Sequence, residues 1–174
     1  MWQELLWVPD KDGRFSIRLN LIQDDITFSR RGSYFMNEEN GLADGLRSML
    51  ERAFKSKEGQ GLRAPNGQWN IWQVKRYLRA VNHFLGKKLV AYHVFNGQPA
   101  RGSELTAMRF RNGALQDRNQ VVLDGVMMTV IRYYKSMSQW DSPKVIPRFL
   151  PARLGQITTI YLAYVQPFAE YLQV

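Results

Sequence analysis

The chain has 174 residues, a formal net charge of +9 and no cysteine. That length suffices for one domain with a real core, and the missing cysteines exclude disulfides, cysteine-bound zinc and thiol nucleophiles. Apolar runs such as 121–123 and 157–165 are too short or too interrupted to span a bilayer, and the opening Met1-Trp2-Gln3-Glu4 lacks the basic stretch and apolar run of a secretory leader.

In chain order, Phe15-Ser16-Ile17-Arg18-Leu19 alternates like a strand, while Leu19-Asn20-Leu21-Ile22 could equally begin a helix. Gly32-Ser33 and 37–41 read as turns. Asn40 is placed to cap a helix over about 42–56, with Leu42, Leu46, Met49, Leu50 and Phe54 on one face. The stretch 57–67, with Gly59, Gly61, Pro65 and Gly67, is the clearest loop. It divides an N-terminal part, 1–60, from a second part, 68–174, although the two could pack as one domain. A helix is expected over about 69–85, with Trp72, Lys75, Arg76, Arg79 and His83 opposite Val74, Leu78, Val81 and Leu85. Gly86 should break it, a further helix over 88–95 should end at Asn96-Gly97, and a short one should follow over 101–110.

Beyond that the pattern changes. Asp124-Gly125 between two β-rich runs predicts a hairpin at 120–134. Pro143 and Pro147 bracket a third strand near 144–147, expected at a sheet edge. Pro151 opens a last helix with Leu154, Ile157, Ile160, Tyr161, Tyr164 and Phe168 at helical spacing, and Pro167 should kink it or end it locally. The expected fold is therefore α+β: mainly helical, with a small three-stranded antiparallel sheet and a long C-terminal helix.

The charge is unevenly placed. Residues 1–60 carry nine basic and ten acidic side chains, and 113–174 carry six and four. Residues 61–112 carry nine basic ones and a single acid, Glu104. Trp69, Trp72, Tyr77 and Phe84 are interleaved with them. A polyanion is the natural partner of such a segment, although a merely solvated basic surface would look the same.

Catalytic sets are sparse. His83 and His93 have no metal-ligand spacing to each other, and neither a phosphate loop nor a dinucleotide fingerprint is present. The adjacent carboxylates Asp24-Asp25 and Glu38-Glu39 read as solvated surface. No metal or cofactor is expected. What stands out is the run Gly97-Gln98-Pro99-Ala100-Arg101-Gly102-Ser103-Glu104-Leu105, followed by the hairpin and Lys135. An arginine at a helix start can fork onto two phosphate oxygens beside free backbone N–H groups. Glu104 can hold that guanidinium, and Lys135 would project from the end of a β-ribbon. Spacing alone also allows an ordinary Arg101–Glu104 ion pair.

This order of glycine, arginine, Glu-Leu, hairpin, lysine, third strand and long helix resembles the first half of the tyrosine recombinase (phage integrase) catalytic domain. Gly97, Arg101, Glu104 and Leu105 resemble its arginine box, with two extra residues between Gly97 and Arg101. A closer resemblance, carried by 97–105, Arg118-Asn119, Asp124-Gly125, 132–136 and 146–151, is to the region upstream of the helicase in fungal telomere-linked, RecQ-helicase-like mobile-element proteins. The resemblance implies that Arg101 clamps a phosphate and Lys135 sits at the cleavage step. The His-x-x-Arg and nucleophilic tyrosine that the family places after the long helix have no counterpart here, since no histidine follows His93. The implied function is a catalytically incomplete, sequence-nonspecific DNA-binding fragment, in the nucleus and without a membrane, that is not itself an enzyme. Its DNA-contacting residues would be Lys75, Arg76, Arg79, Lys87, Lys88, Arg101, Arg109, Arg111 and Lys135, supported by Glu104. The alternative is a small protein-interaction protein, an effector or selfish toxin derived from such a fragment, whose partner is a host protein.

Overall fold

A computed structural model of the chain describes residues 1–8, 17–55, 57, 59–97, 102–132 and 145–173. In chain order these form α1 (Trp2–Leu5), α2 (Gly45–Lys55), the long α3 (Ile71–Phe95) and the short α4 (Gly102–Thr106). Strands β1 (Gln120–Leu123), β2 (Val126–Arg132) and β3 (Val145–Phe149) come next. The C-terminal helix consists of α5 (Ala152–Ile160) and α6 (Gln166–Gln173), joined through a π-helical turn, Tyr161–Val165. The fold is α+β, with helices packed around an antiparallel sheet of order β1-β2-β3.

The hairpin forms as its sequence predicts. Leu123 pairs with Val126 across Asp124 (φ 49°) and Gly125 (φ 78°). A two-residue hairpin turn of type I′ has positive φ at both central positions, which glycine, asparagine and aspartate tolerate best. The third strand lies slightly later than predicted, and Pro147 sits opposite Val130 on the edge strand β3. An edge position leaves room for a residue that cannot donate a ladder hydrogen bond.

One expected helix break does not occur. Gly86 lies within a continuous 25-residue α3. A mid-helix glycine costs only about 1 kcal/mol relative to alanine, and tertiary bonds on both sides of Gly86 outweigh that. Asn70 caps the helix start, its side chain accepting from the Trp72 and Gln73 N–H groups. On the buried face Tyr77 donates to the Leu5 carbonyl (3.2 Å), Tyr92 to the Thr158 hydroxyl (3.0 Å) and Asn96 to the Thr129 hydroxyl (2.8 Å). Pro167, expected to kink or locally end the last helix, does interrupt its α geometry. It has no N–H to give the carbonyl four residues back, that of Ala163. The helix widens into the π turn just before it, where the Gln166 N–H reaches the Tyr161 carbonyl.

Several N-terminal residues are buried together with later ones, in keeping with the two parts packing as one domain. Leu5, Leu6, Phe35, Leu42, Met49 and Ala53 share one hydrophobic core with Val81, Tyr92, Val122, Met127, Tyr161 and Phe168. Trp7, Tyr77 and Phe168 form an aromatic triad with ring centroids 5.3–5.8 Å apart. Asn40 does not cap α2. Its side chain instead bonds the Gln23 and Phe35 backbone and ties the 23 and 35 segments together. Asp24 is not solvated either: it is buried, 2.6 Å from the Arg118 guanidinium, and accepts the Val122 N–H of β1 at 2.8 Å. A carboxylate there satisfies a buried guanidinium and an edge-strand N–H together, which a surface reading of adjacent acids could not anticipate. Of the early strand-like stretch, residues 19–21 form a single 3-10 turn, and 9–16 lie outside the described residues.

Candidate nucleic-acid interface

The uninterrupted α3 aligns the basic side chains. At 100° per residue, Trp72, Arg76, Arg79, His83 and Val90 fall within an arc of about 60°, with Lys75 and Lys87 flanking it. All seven are exposed. Tyr77 and Tyr92 of α3 and its C-cap Asn96 make tertiary hydrogen bonds on the opposite side, so packing fixes which face looks out. From Trp72 to Lys87 the face runs about 22 Å. No aspartate or glutamate occurs anywhere from residue 59 to residue 103. Lys75 Nζ lies 6.0 Å from the centre of the Trp72 ring, which is 78% exposed. A bare indole among cations on a carboxylate-free helix can take both a phosphate and an apolar or aromatic group.

Not every basic residue joins this face. Lys88 projects to the other side of α3 and is half-buried, with Nζ 4.7 Å above the Tyr161 ring and 5.5 Å above that of Tyr92. Burial lowers its pKa to about 8. It therefore serves the core rather than a polyanion. Arg111 is also committed. It forks onto Glu170 of α6 (3.0 and 3.4 Å) and lies over the Tyr34 and Phe110 rings. Its pKa is held above the usual arginine value by Tyr34 and Glu170, against the opposing effect of burial. Arg109 is exposed, in the loop entering β1, where Asn119 pins its backbone.

The two residues implied by the recombinase resemblance, Arg101 and Lys135, lie outside the described residues. Glu104 lies in α4, and its carboxylate is 3.6 Å from the Arg148 guanidinium of β3, both side chains almost wholly buried. The pair ties α4 to the sheet edge. Nothing in the spacing of 97–105 pointed to Arg148.

The buried Lys88 leads to a stability prediction. Below pH 8 the folded and unfolded chains both carry the proton, and the cost of the buried charge is fully present. Between pH 8 and about 10.5 the folded state gives up its proton first, so stability rises with pH, and above that range neither state is charged. Lys88→Met is therefore expected to stabilise the protein at pH 7 by about 1–3 kcal/mol, part of the shift being offset by the lost cation–π contacts. Urea melts at pH 7 and near pH 10.5 should show that advantage fading, and an advantage independent of pH would mean that the ammonium is solvated.

Sequence reasoning missed an apolar groove beside the basic face. It runs between the start of α3 and the end of α6, with a volume of about 660 Å³, and is lined by Trp69, Ile71, Leu78, Tyr171 and Leu172, with Lys75 at the rim. Trp69 and Tyr171 stand 102 positions apart in the chain, so no local pattern announces it.

Among the described residues no helix is long and apolar enough to cross a membrane, and no three acidic or histidine side chains stand together as metal ligands. No family model matches the sequence, and no solved structure matches the fold.

Proposed function

We propose that this protein binds nucleic acid through the phosphate backbone, without reading sequence, and that the exposed face of α3 is its principal contact. The carrying observation is the carboxylate-free row Lys75, Arg76, Arg79 and Lys87, set facing outward by the buried anchors of the same helix. The resemblance of 97–105 and the hairpin to the tyrosine recombinase arginine box agrees with a DNA partner. It suggests descent from a fungal mobile-element protein and a nuclear location. On this reading the 174 residues hold phosphate and do not cleave a strand, and Arg101 and Lys135 add to the binding surface.

Four exposed cations that neutralise four phosphates of a duplex give a log–log salt slope of about −3.6. Affinity should thus fall on the order of a hundredfold between 50 and 200 mM salt. Fluorescence anisotropy with labelled duplexes of unrelated sequence measures this, and a flat salt response, or no binding at low ionic strength, would sink the proposal.

A second reading has an observation of its own. Val90, Val94 and Phe95, at the far end of the same helix, are 63%, 59% and 60% exposed. A phosphate backbone has no use for that apolar end, whereas a protein partner does. On this reading the chain is an effector or selfish toxin bound to a host protein. Such a complex would survive loss of Lys75, Arg76 and Arg79 and fail with Val90→Asp.

A further inference from the structure

We infer that the groove between α3 and α6 receives an unpaired base, so that the preferred ligand is single-stranded or frayed nucleic acid rather than closed duplex. This rests on the backbone-binding reading above and adds the substrate class to it.

The groove offers what a base requires. Trp69 forms its aromatic floor, backed by the Phe54 ring at 6.1 Å and 28° and met edge-on by Tyr171 at 6.1 Å. Ile71 and Tyr171 are 66% and 45% exposed, so the entrance is open. Among the described residues no carboxylate lines it. Lys75 is at the rim, and Arg63 lies 4.6 Å above the Phe54 ring that backs Trp69. Lys75 also borders the basic face through Trp72. A strand whose phosphates follow α3 therefore passes the groove mouth, where an unstacked base can turn in against Trp69 and Tyr171. A paired base cannot do so without leaving its own stack. The cationic rim at Lys75 and the continuity with the polyanion face favour a nucleotide over a neutral apolar ligand.

The test compares three ligands on the full chain: a short oligothymidine, an abasic sugar-phosphate oligomer of the same length and a matched blunt duplex. The oligothymidine is expected to bind about 5- to 150-fold more tightly than the abasic oligomer, the range that one base–aromatic stack gives. Tyr171→Ala combined with Ile71→Ala should erase that difference and leave abasic binding unchanged. Equal affinity for oligothymidine and abasic oligomer in the unaltered protein overturns the inference while leaving backbone binding intact. Failure to bind all three at low salt overturns both. Polyglutamate displacing oligothymidine at equal charge also overturns it, because the groove would then serve an acidic peptide.

Discussion

Exchanging Lys75, Arg76 and Arg79 together for glutamate is expected to weaken DNA binding about 10³-fold at low salt and to leave folding intact. All three side chains are exposed, and none takes part in an ion pair among the described residues. Reversal removes three of the four proposed phosphate contacts on α3 and would set three carboxylates beside the backbone. The salt slope should accordingly fall from about −3.6 to about −1, the share left to Lys87. Slope and affinity must change together. A lost affinity with an unchanged slope would point to unfolding, and a thermal melt separates the two. If neither changes, the cations that matter lie elsewhere, with Arg109, Arg101 and Lys135 next in line.

Gly45→Ala is expected to destabilise the fold by about 3 kcal/mol or more, at the upper end of what overpacking costs. The position looks harmless, being the first residue of α2, with an ordinary negative φ. Yet a Cβ built there would lie 1.7 Å from the carbonyl oxygen of Ala163 and 2.7 Å from its carbon. These are backbone atoms of the π turn and cannot rotate aside as a side chain would. The clash traces to Pro167, which deprives the Ala163 carbonyl of its usual helical donor and widens the helix where α2 packs. Urea denaturation should show a large fall in midpoint. A Pro167→Ala, Gly45→Ala double variant should recover part of the loss if the π turn relaxes to α. An alanine at 45 with wild-type stability would mean that α2 is free to move away from the turn.

The two expectations differ in how far the chain reveals them. The row of cations on α3 is legible, because residues three and four apart share a face whatever the rest of the molecule does. The Gly45–Ala163 contact is not. It joins positions 118 residues apart, and nothing near Gly45 marks it as different from Gly32 or Gly41, around which a Cβ meets open space. Gly86 shows the converse. Its local cost is real but small, and a helix anchored by Tyr77, Tyr92 and Asn96 absorbs it. The candidate cations looked equivalent along the chain, and burial and partners set two of them apart: Lys88 lies over tyrosine rings, and Arg111 is held by Glu170.

The sequence by itself determined the α+β class, the hairpin at Asp124-Gly125, the edge strand with its proline, and the common helical face of Lys75, Arg76 and Arg79. Each of these follows from short-range geometry: helical and strand periods, or the φ that a turn demands. Tertiary structure alone decided that Leu5, Phe35, Met49 and Ala53 join the same core as the later helices, that α3 runs unbroken through Gly86, and that helix resumes beyond the π turn at Pro167. It also decided which cations stay free and brought Trp69 and Tyr171 together to make a groove. Those outcomes depend on contacts between distant segments, whose combined energy exceeds the local preferences of about 1 kcal/mol that a single position can express.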